Sequence, residues 1–267
     1  MKIDQIVENL NLKGVSKVGQ LFTPQEIAFF KQDIISLKQQ DIESNGKERL
    51  MENFSLETVS DLGRFGREYY ELIAHKVINE VVDRCLNDKA VIHSYNAIVL
   101  DKSQASKMVG HKFHRDMPWF PSCRTSIIIM IPLVDYGPNN GSTQFVPGTH
   151  LFKDMPSEEF MNNNTISSEG KAGEAFVVES TLWHKAGNNI SGDERPMIVI
   201  KYTLGPFKQQ IDFCNSNPNL SEASALVKQR LGWNVRVPSD FEENRDWNQE
   251  TRKFKSGQYD MTNTYIK

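Results

Sequence analysis

"RTSIIIMIPLVD", residues 124–135, is a short apolar run dominated by isoleucine, whose branched Cβ suits a pleated surface better than a helix. It has companions. VIHSYNAIVL (91–100), STQFVP (142–147), GEAFVVES (173–180) and RPMIVIKYTLG (195–205) are runs of the same kind, apolar or alternating and rich in Val, Ile, Phe and Tyr. Turn chemistry separates them: Gly-Pro-Asn-Asn-Gly (137–141), Pro147-Gly148, Gly170-Lys171-Ala172-Gly173 and Ser191-Gly192-Asp193. Upstream the period is helical. Thr23-Pro24-Gln25-Glu26 combines an N-cap, a proline at the first helical position and a capping-box glutamate, and predicts a helix to about residue 40. YYELIAHKVINEVVDRCL (69–86) sets Leu72, Ile73, His75, Val77, Ile78, Val81 and Val82 near one face and predicts a second, with His75 read as a half-buried helix residue. A third is expected over 221–232. Helices first and strands afterwards predict a mainly β fold with flanking helices, a barrel or sandwich and not a repeating βαβ sheet.

The 267 residues are read as a single domain: helical support over about 1–90, a β core over about 91–207 and a carboxy-terminal extension over about 208–267. With 39% hydrophobic and 24% charged residues the chain can bury a core. A net charge of −3 provides no basic field for a phosphate backbone, so the expected partner is a small molecule and not nucleic acid. The opening MKIDQIVENLNLKGVSK has no apolar signal core, and no run of eighteen apolar residues occurs, so a soluble, cytoplasmic protein away from membranes is expected. Cys85, Cys123 and Cys214 are odd in number and without CxxC spacing, which fits a reducing compartment.

Within this frame HRDMPWF (114–120) carries a chemical signal. Alone, a histidine two before an aspartate is a common accident. In an extended segment, however, His114 and Asp116 project to one face while Arg115 points away, so both can reach one ion. His184, directly after the apolar strand 174–179 and before an Asn/Gly turn, is placed to be a second imidazole at a barrel mouth. Two histidines and a carboxylate with open positions form the facial triad of non-haem Fe(II) oxygenases, a better fit for iron than for zinc. Eleven residues after His184, across the turn 188–193, stands Arg195, whose guanidinium fork suits a dicarboxylate already on the metal.

His114-x-Asp116, NNGSTQFVPGTH (139–150) and WHKAGNNISGDERP (183–196), with its His-x10-Arg spacing, together resemble the phytanoyl-CoA dioxygenase family of Fe(II)/2-oxoglutarate oxygenases. The resemblance spans roughly residues 93–205. It implies a double-stranded β-helix, a jelly-roll or cupin-like barrel, with Fe(II) held by His114, Asp116 and His184. It further implies 2-oxoglutarate as cosubstrate with O2, its distal carboxylate on Arg195, Thr143 in contact with it, and succinate and CO2 as coproducts. His111 stands where several relatives have glutamine, and either a hydrogen bond to the cosubstrate or an ordinary strand place fits it. Asp116 fills the place that a halide would need, so hydroxylation is favoured over halogenation. Trp119 and Phe120 are expected to line the substrate pocket, with core packing as the other reading. Two rival functions stay open at this point: a cupin-like barrel that binds without turnover, and a metal-dependent hydrolase or isomerase on the same triad. Substrate choice is expected in the loops 41–68, 101–112 and 153–172 and in the carboxy-terminal part, where no pattern is legible.

Overall fold

In the computed structural model, which describes residues 2–100, 109–217, 220–235, 237 and 241–245, the apolar runs are strands. They are β1 (Val15–Gln20), β2 (Thr58–Ser60), β3 (Val91–Leu100), β4 (Ser126–Pro132) and β5 (Gln144–Phe145). β6 (Ile166–Ser167), β7 (Glu174–Glu179), β8 (His184–Lys185) and β9 (Arg195–Thr203) follow. The helices used below are α1 (Ile3–Lys13), α2 (Pro24–Asn45), α3 (Lys47–Glu52), α4 (Arg67–Ile73), α5 (Lys76–Cys85), α6 (Glu158–Asn164), α7 (Phe213–Ser216) and α8 (Ala225–Arg230).

A six-stranded sheet has the order β1-β7-β4-β9-β3-β2, and a three-stranded sheet the order β6-β5-β8. Non-consecutive neighbours and antiparallel pairs mark the jelly-roll winding that the family resemblance implies. β4 is buried along its whole length, so its unbroken isoleucine run reflects cover on both faces. Ile128 and Met130 from β4, Phe176 and Val178 from β7, and Met197 from β9 close on Phe145 and Leu182, which fills the space between the two sheets with apolar side chains.

The chain divides into two units, 1–60 with 96–200 and 61–95 with 201–267, and β3 and β9 each carry the chain from one into the other. The first holds both sheets' site-bearing strands. Its α2 starts with the expected reciprocal capping box, Thr23 N to Glu26 Oε2 at 2.7 Å and Glu26 N to Thr23 Oγ1 at 3.3 Å, and it runs to Asn45. Two strands, β1 and β2, lie in the amino-terminal stretch that the sequence led us to read as helical. β1 pairs with β7 and β2 with β3, so this stretch supplies both edges of the large sheet.

In the second unit the helix expected over 69–86 is two helices. His75 is extended at φ −56°, ψ 124°, and the Asn79 amide donates to the carbonyls of Ile73 (2.8 Å) and His75 (3.0 Å) that the break exposes. Each half keeps its own apolar face, which is why the combined pattern looked continuous. The expected helix at 221–232 is shortened to α8, preceded by a 3-10 turn. Its Arg230 is fully buried, donating to Asn79 Oδ1 (2.8 Å), to the Ala90 carbonyl (2.9 Å) and to Asp83. Among the described residues no helix is long and apolar enough to cross a membrane.

Replacing Arg230 strands two buried acceptors. Arg230→Ala is expected to lower the unfolding free energy by about 3 kcal/mol in denaturant titration; a loss under about 0.5 kcal/mol would show that this network is dispensable.

Candidate active site

Strand pairing builds the site. Gln144 and Phe145 of β5 pair with Lys185 and His184 of β8, and β8 in turn makes an isolated antiparallel bridge to residue 114. That bridge has both of its hydrogen bonds, His114 N to His184 O at 3.0 Å and His184 N to His114 O at 3.1 Å. Two residues on, Asp116 N donates to Ser180 O at 2.9 Å and Met117 N to the same oxygen at 3.1 Å. The three side chains therefore meet. One ligand atom from each of His114, Asp116 and His184 lies within 4.8 Å of the others, with Asp116 Oδ1 3.5 Å from His114 Nε2 and 3.9 Å from His184 Nε2.

Both imidazoles are oriented by the backbone. His114 Nδ1 lies 2.8 Å from Lys112 O and His184 Nδ1 2.9 Å from Leu182 O. A carbonyl can only accept, so in the neutral ring the proton is on Nδ1 and the Nε2 lone pair is left to face Asp116. This is the second-sphere arrangement that fixes a metal-binding tautomer. Two imidazole nitrogens and one carboxylate oxygen on one face are a donor set that would hold a divalent first-row metal and leave positions for further ligands.

The triad opens on a cavity of about 280 Å³ that also touches His111, Thr143 and Arg195. β9 starts at Arg195, and its alternation sends Arg195, Met197 and Val199 to the cavity together. Ile98, Ile128 and Met130 complete an apolar wall. Arg195 is 1% exposed. Its Nη1 donates to the Tyr136 hydroxyl and its Cζ sits 5.0 Å from that ring's centroid, while its Nε has no partner. Burial pushes the Tyr136 phenol up, against the pull of Arg195, so the hydroxyl stays neutral. The neighbouring turn acid offers no charge either, since Glu194 pairs with Lys38 at 2.7 Å. Among the described residues this buried cation has no carboxylate within ion-pair distance. His111 also presents an unpartnered Nε2. Burial holds its pKa below the usual histidine range, with the Glu57 charge opposing and that of Arg195 reinforcing, so the ring is neutral near pH 7.

Turn glycines bring these pieces close. Gly141, at φ +75°, ends the Asn-Asn-Gly turn, and a Cβ there would stand 2.4 Å from Leu100 Cδ2 and 3.0 Å from Gly187 O.

Trp119 and Phe120 are not brought to this cavity. They line a separate one of about 460 Å³ with Arg124, His150 and Glu179. After Met117 the chain leaves the 180–184 segment, because Pro118 and Pro121 have no N–H with which to continue the pairing. Missed by sequence reasoning was Tyr136, the buried neighbour of Arg195; Phe54, Glu57 and Thr58 line the triad's cavity from the loop 41–68, where substrate choice is expected but no residue could be singled out. Residues 101–108 of the expected substrate loop lie outside the described residues.

A family model described as phytanoyl-CoA dioxygenase (PhyH) matches residues 10–197. The uncharacterized protein Rv1501 of Mycobacterium tuberculosis is 28% identical over 247 residues, covering 90% of each chain. Dioxygenase hkm4 of Aspergillus hancockii is 20% identical over 262 residues, covering 90% of this chain and 84% of its own. The crystal structure of SnoN, a non-haem alpha-ketoglutarate-dependent epimerase from nogalamycin biosynthesis, superimposes with a TM-score of 0.58 at 15% identity, over 76% of this chain and 83% of that one.

A buried cation without an anion is costly until a ligand neutralises it. Arg195→Met is therefore expected to leave the ligand-free protein as stable as the wild type or more so, by up to about 2 kcal/mol. A thermal melt showing a loss of that size instead would make Arg195 a structural residue.

Proposed function

The chain belongs to the phytanoyl-CoA dioxygenase family, and from that premise we propose that it is a non-haem Fe(II)- and 2-oxoglutarate-dependent oxygenase that hydroxylates a small-molecule substrate. The observation that carries this reading is Arg195, a fully buried cation with no carboxylate within ion-pair distance among the described residues, facing the same cavity as a two-histidine, one-carboxylate triad. A passive barrel or a hydrolase gives that arginine no anion to hold. A dicarboxylate cosubstrate does.

In this reading His114, Asp116 and His184 hold the iron through Nε2, one carboxylate oxygen and Nε2. The metal with its cosubstrate supplies O2 activation coupled to decarboxylation of 2-oxoglutarate to succinate and CO2. The chain's own residues do the positioning. The guanidinium of Arg195 takes the distal carboxylate as a charge-assisted pair, kept strong by burial. Thr143, buried and lining the same cavity, and neutral His111 offer hydrogen bonds without adding charge. Ile98, Ile128, Met130, Met197 and Val199 keep the cavity dry, which protects a reactive step from water. Asp116 occupies its own ligand place, which favours hydroxylation over halogenation.

Succinate release in the presence of Fe(II), 2-oxoglutarate and O2, screened over a panel of small metabolites, tests the proposal. Replacing His114, Asp116 or His184 by alanine is expected to lower it by 100-fold or more, as loss of a metal ligand does. Turnover without O2, or undiminished in Asp116→Ala, would contradict it. Arg195→Met is expected to raise the 2-oxoglutarate concentration for half-maximal rate by about 10- to 100-fold, the worth of a hydrogen-bonded ion pair; an unchanged value would remove Arg195 from the cosubstrate site.

A further inference from the structure

The bridge that joins the two histidines also fixes what lies behind them. With residue 114 opposite 184 in antiparallel register, residue 115 falls opposite 183, and alternation turns both to the face away from the metal ligands. There they meet. The guanidinium carbon of Arg115 stands 4.6 Å from the centroid of the Trp183 ring. Trp183 Nε1 is buried and has no hydrogen-bond partner among the described residues, so the indole contributes its face and not its polar handle.

Both residues are tied to one further segment. Arg115 Nη1 donates to Lys153 O at 2.8 Å, and Nη2 donates to Phe152 O. Trp183 is held by its backbone, donating to Thr149 Oγ1 at 3.2 Å and accepting from Val146 N at 3.0 Å. Thr149 is itself fully buried and donates to Val146 O at 2.6 Å. This segment is anchored by Gly148 N to Lys13 O at 2.9 Å and His150 Nε2 to Asn11 O at 3.1 Å, which joins it to the last turn of α1. Residues 146–153 thus act as a strut that both ligand-bearing segments grip from behind.

We infer that Arg115 is a positioning residue of the metal site: stacked on Trp183 and bonded to the carbonyls of Phe152 and Lys153, it holds His114 and Asp116 against His184 and so sets the affinity for the metal. This rests on the metal reading above. The physical reason is leverage. Arg115 is bonded in sequence to both His114 and Asp116, so any rotation of that dipeptide moves two ligand atoms at once, and the planar fork with a ring beneath it resists that rotation. A lysine keeps the charge but cannot bond two carbonyls in fixed directions.

Anaerobic Co(II) titration of the full chain, read by its visible ligand-field spectrum, together with melting of the metal-free protein, tests the inference. Arg115→Ala and Trp183→Leu are each expected to weaken Co(II) binding by about 10- to 100-fold, the usual effect of removing an outer-sphere support. The double variant should lose little more than either single one, because they remove the same contact. Trp183→Phe, which keeps an aromatic face, should retain most of the affinity, and Arg115→Lys should fall between, with melting unchanged. If Arg115→Ala fails to fold, Arg115→Lys decides: weaker Co(II) binding at unchanged melting supports the clasp, and wild-type affinity overturns it. Fully multiplicative losses in the double variant also overturn it. A wild type that binds no Co(II) sinks the metal reading and the clasp with it, whereas a wild type that binds tightly beside equally tight clasp variants sinks the clasp alone.

Discussion

Two reciprocal backbone hydrogen bonds between residues 114 and 184 hold the site together. They close a loop of seventy residues, and loop-closure entropy makes such a contact costly unless the sheets on either side already bring its ends near. β5 and β7 do so: Phe145 pairs with His184, while β7 delivers the chain to Ser180, whose carbonyl then receives the amides of Asp116 and Met117. Everything chemical in the cavity depends on that closure. The register sets His114 and His184 side by side, with ring centroids 4.3 Å apart, and by the same register turns Arg115 and Trp183 to the opposite face.

Arg195 illustrates what the fold gives up for function. The residue is as buried as the hydrophobic core, yet a neutral phenol and a thioether are the partners found for it among the described residues. A sequence selected for stability alone would place an apolar residue here, since burying a lone charge is unfavourable. Under the proposed function the arrangement is preorganisation for an anion: the desolvation cost is met during folding, and a carboxylate entering the cavity would find a fixed, buried donor. His111 extends the same logic with a buried, unpartnered nitrogen that burial keeps neutral.

Much of this was legible in the sequence because it is local. Period-two runs and β-branched residues identified β3, β4, β7 and β9, and alternation from Arg195 explains why Met197 and Val199 share its cavity. The capping box identified the start of α2. What failed was non-local. The break between α4 and α5 depends on one asparagine reaching back to two carbonyls, and an apolar periodicity cannot register it. β1 and β2 are short edge strands whose identity comes from their partners β7 and β3. Trp119 and Phe120 were drawn to the site by proximity in sequence, but two prolines divert the chain after Met117. Glu57 and Tyr136 carry no motif; folding brings Glu57 to the cavity wall and Tyr136 to Arg195.

The most direct measurement is the visible absorption of the anaerobic protein after addition of Fe(II) and then 2-oxoglutarate. Chelation of the cosubstrate to an iron held by the triad predicts a weak charge-transfer band that saturates at one equivalent of iron per chain and is absent from the His184→Ala protein. A band of equal strength in His184→Ala, or none in the wild type, would contradict the account.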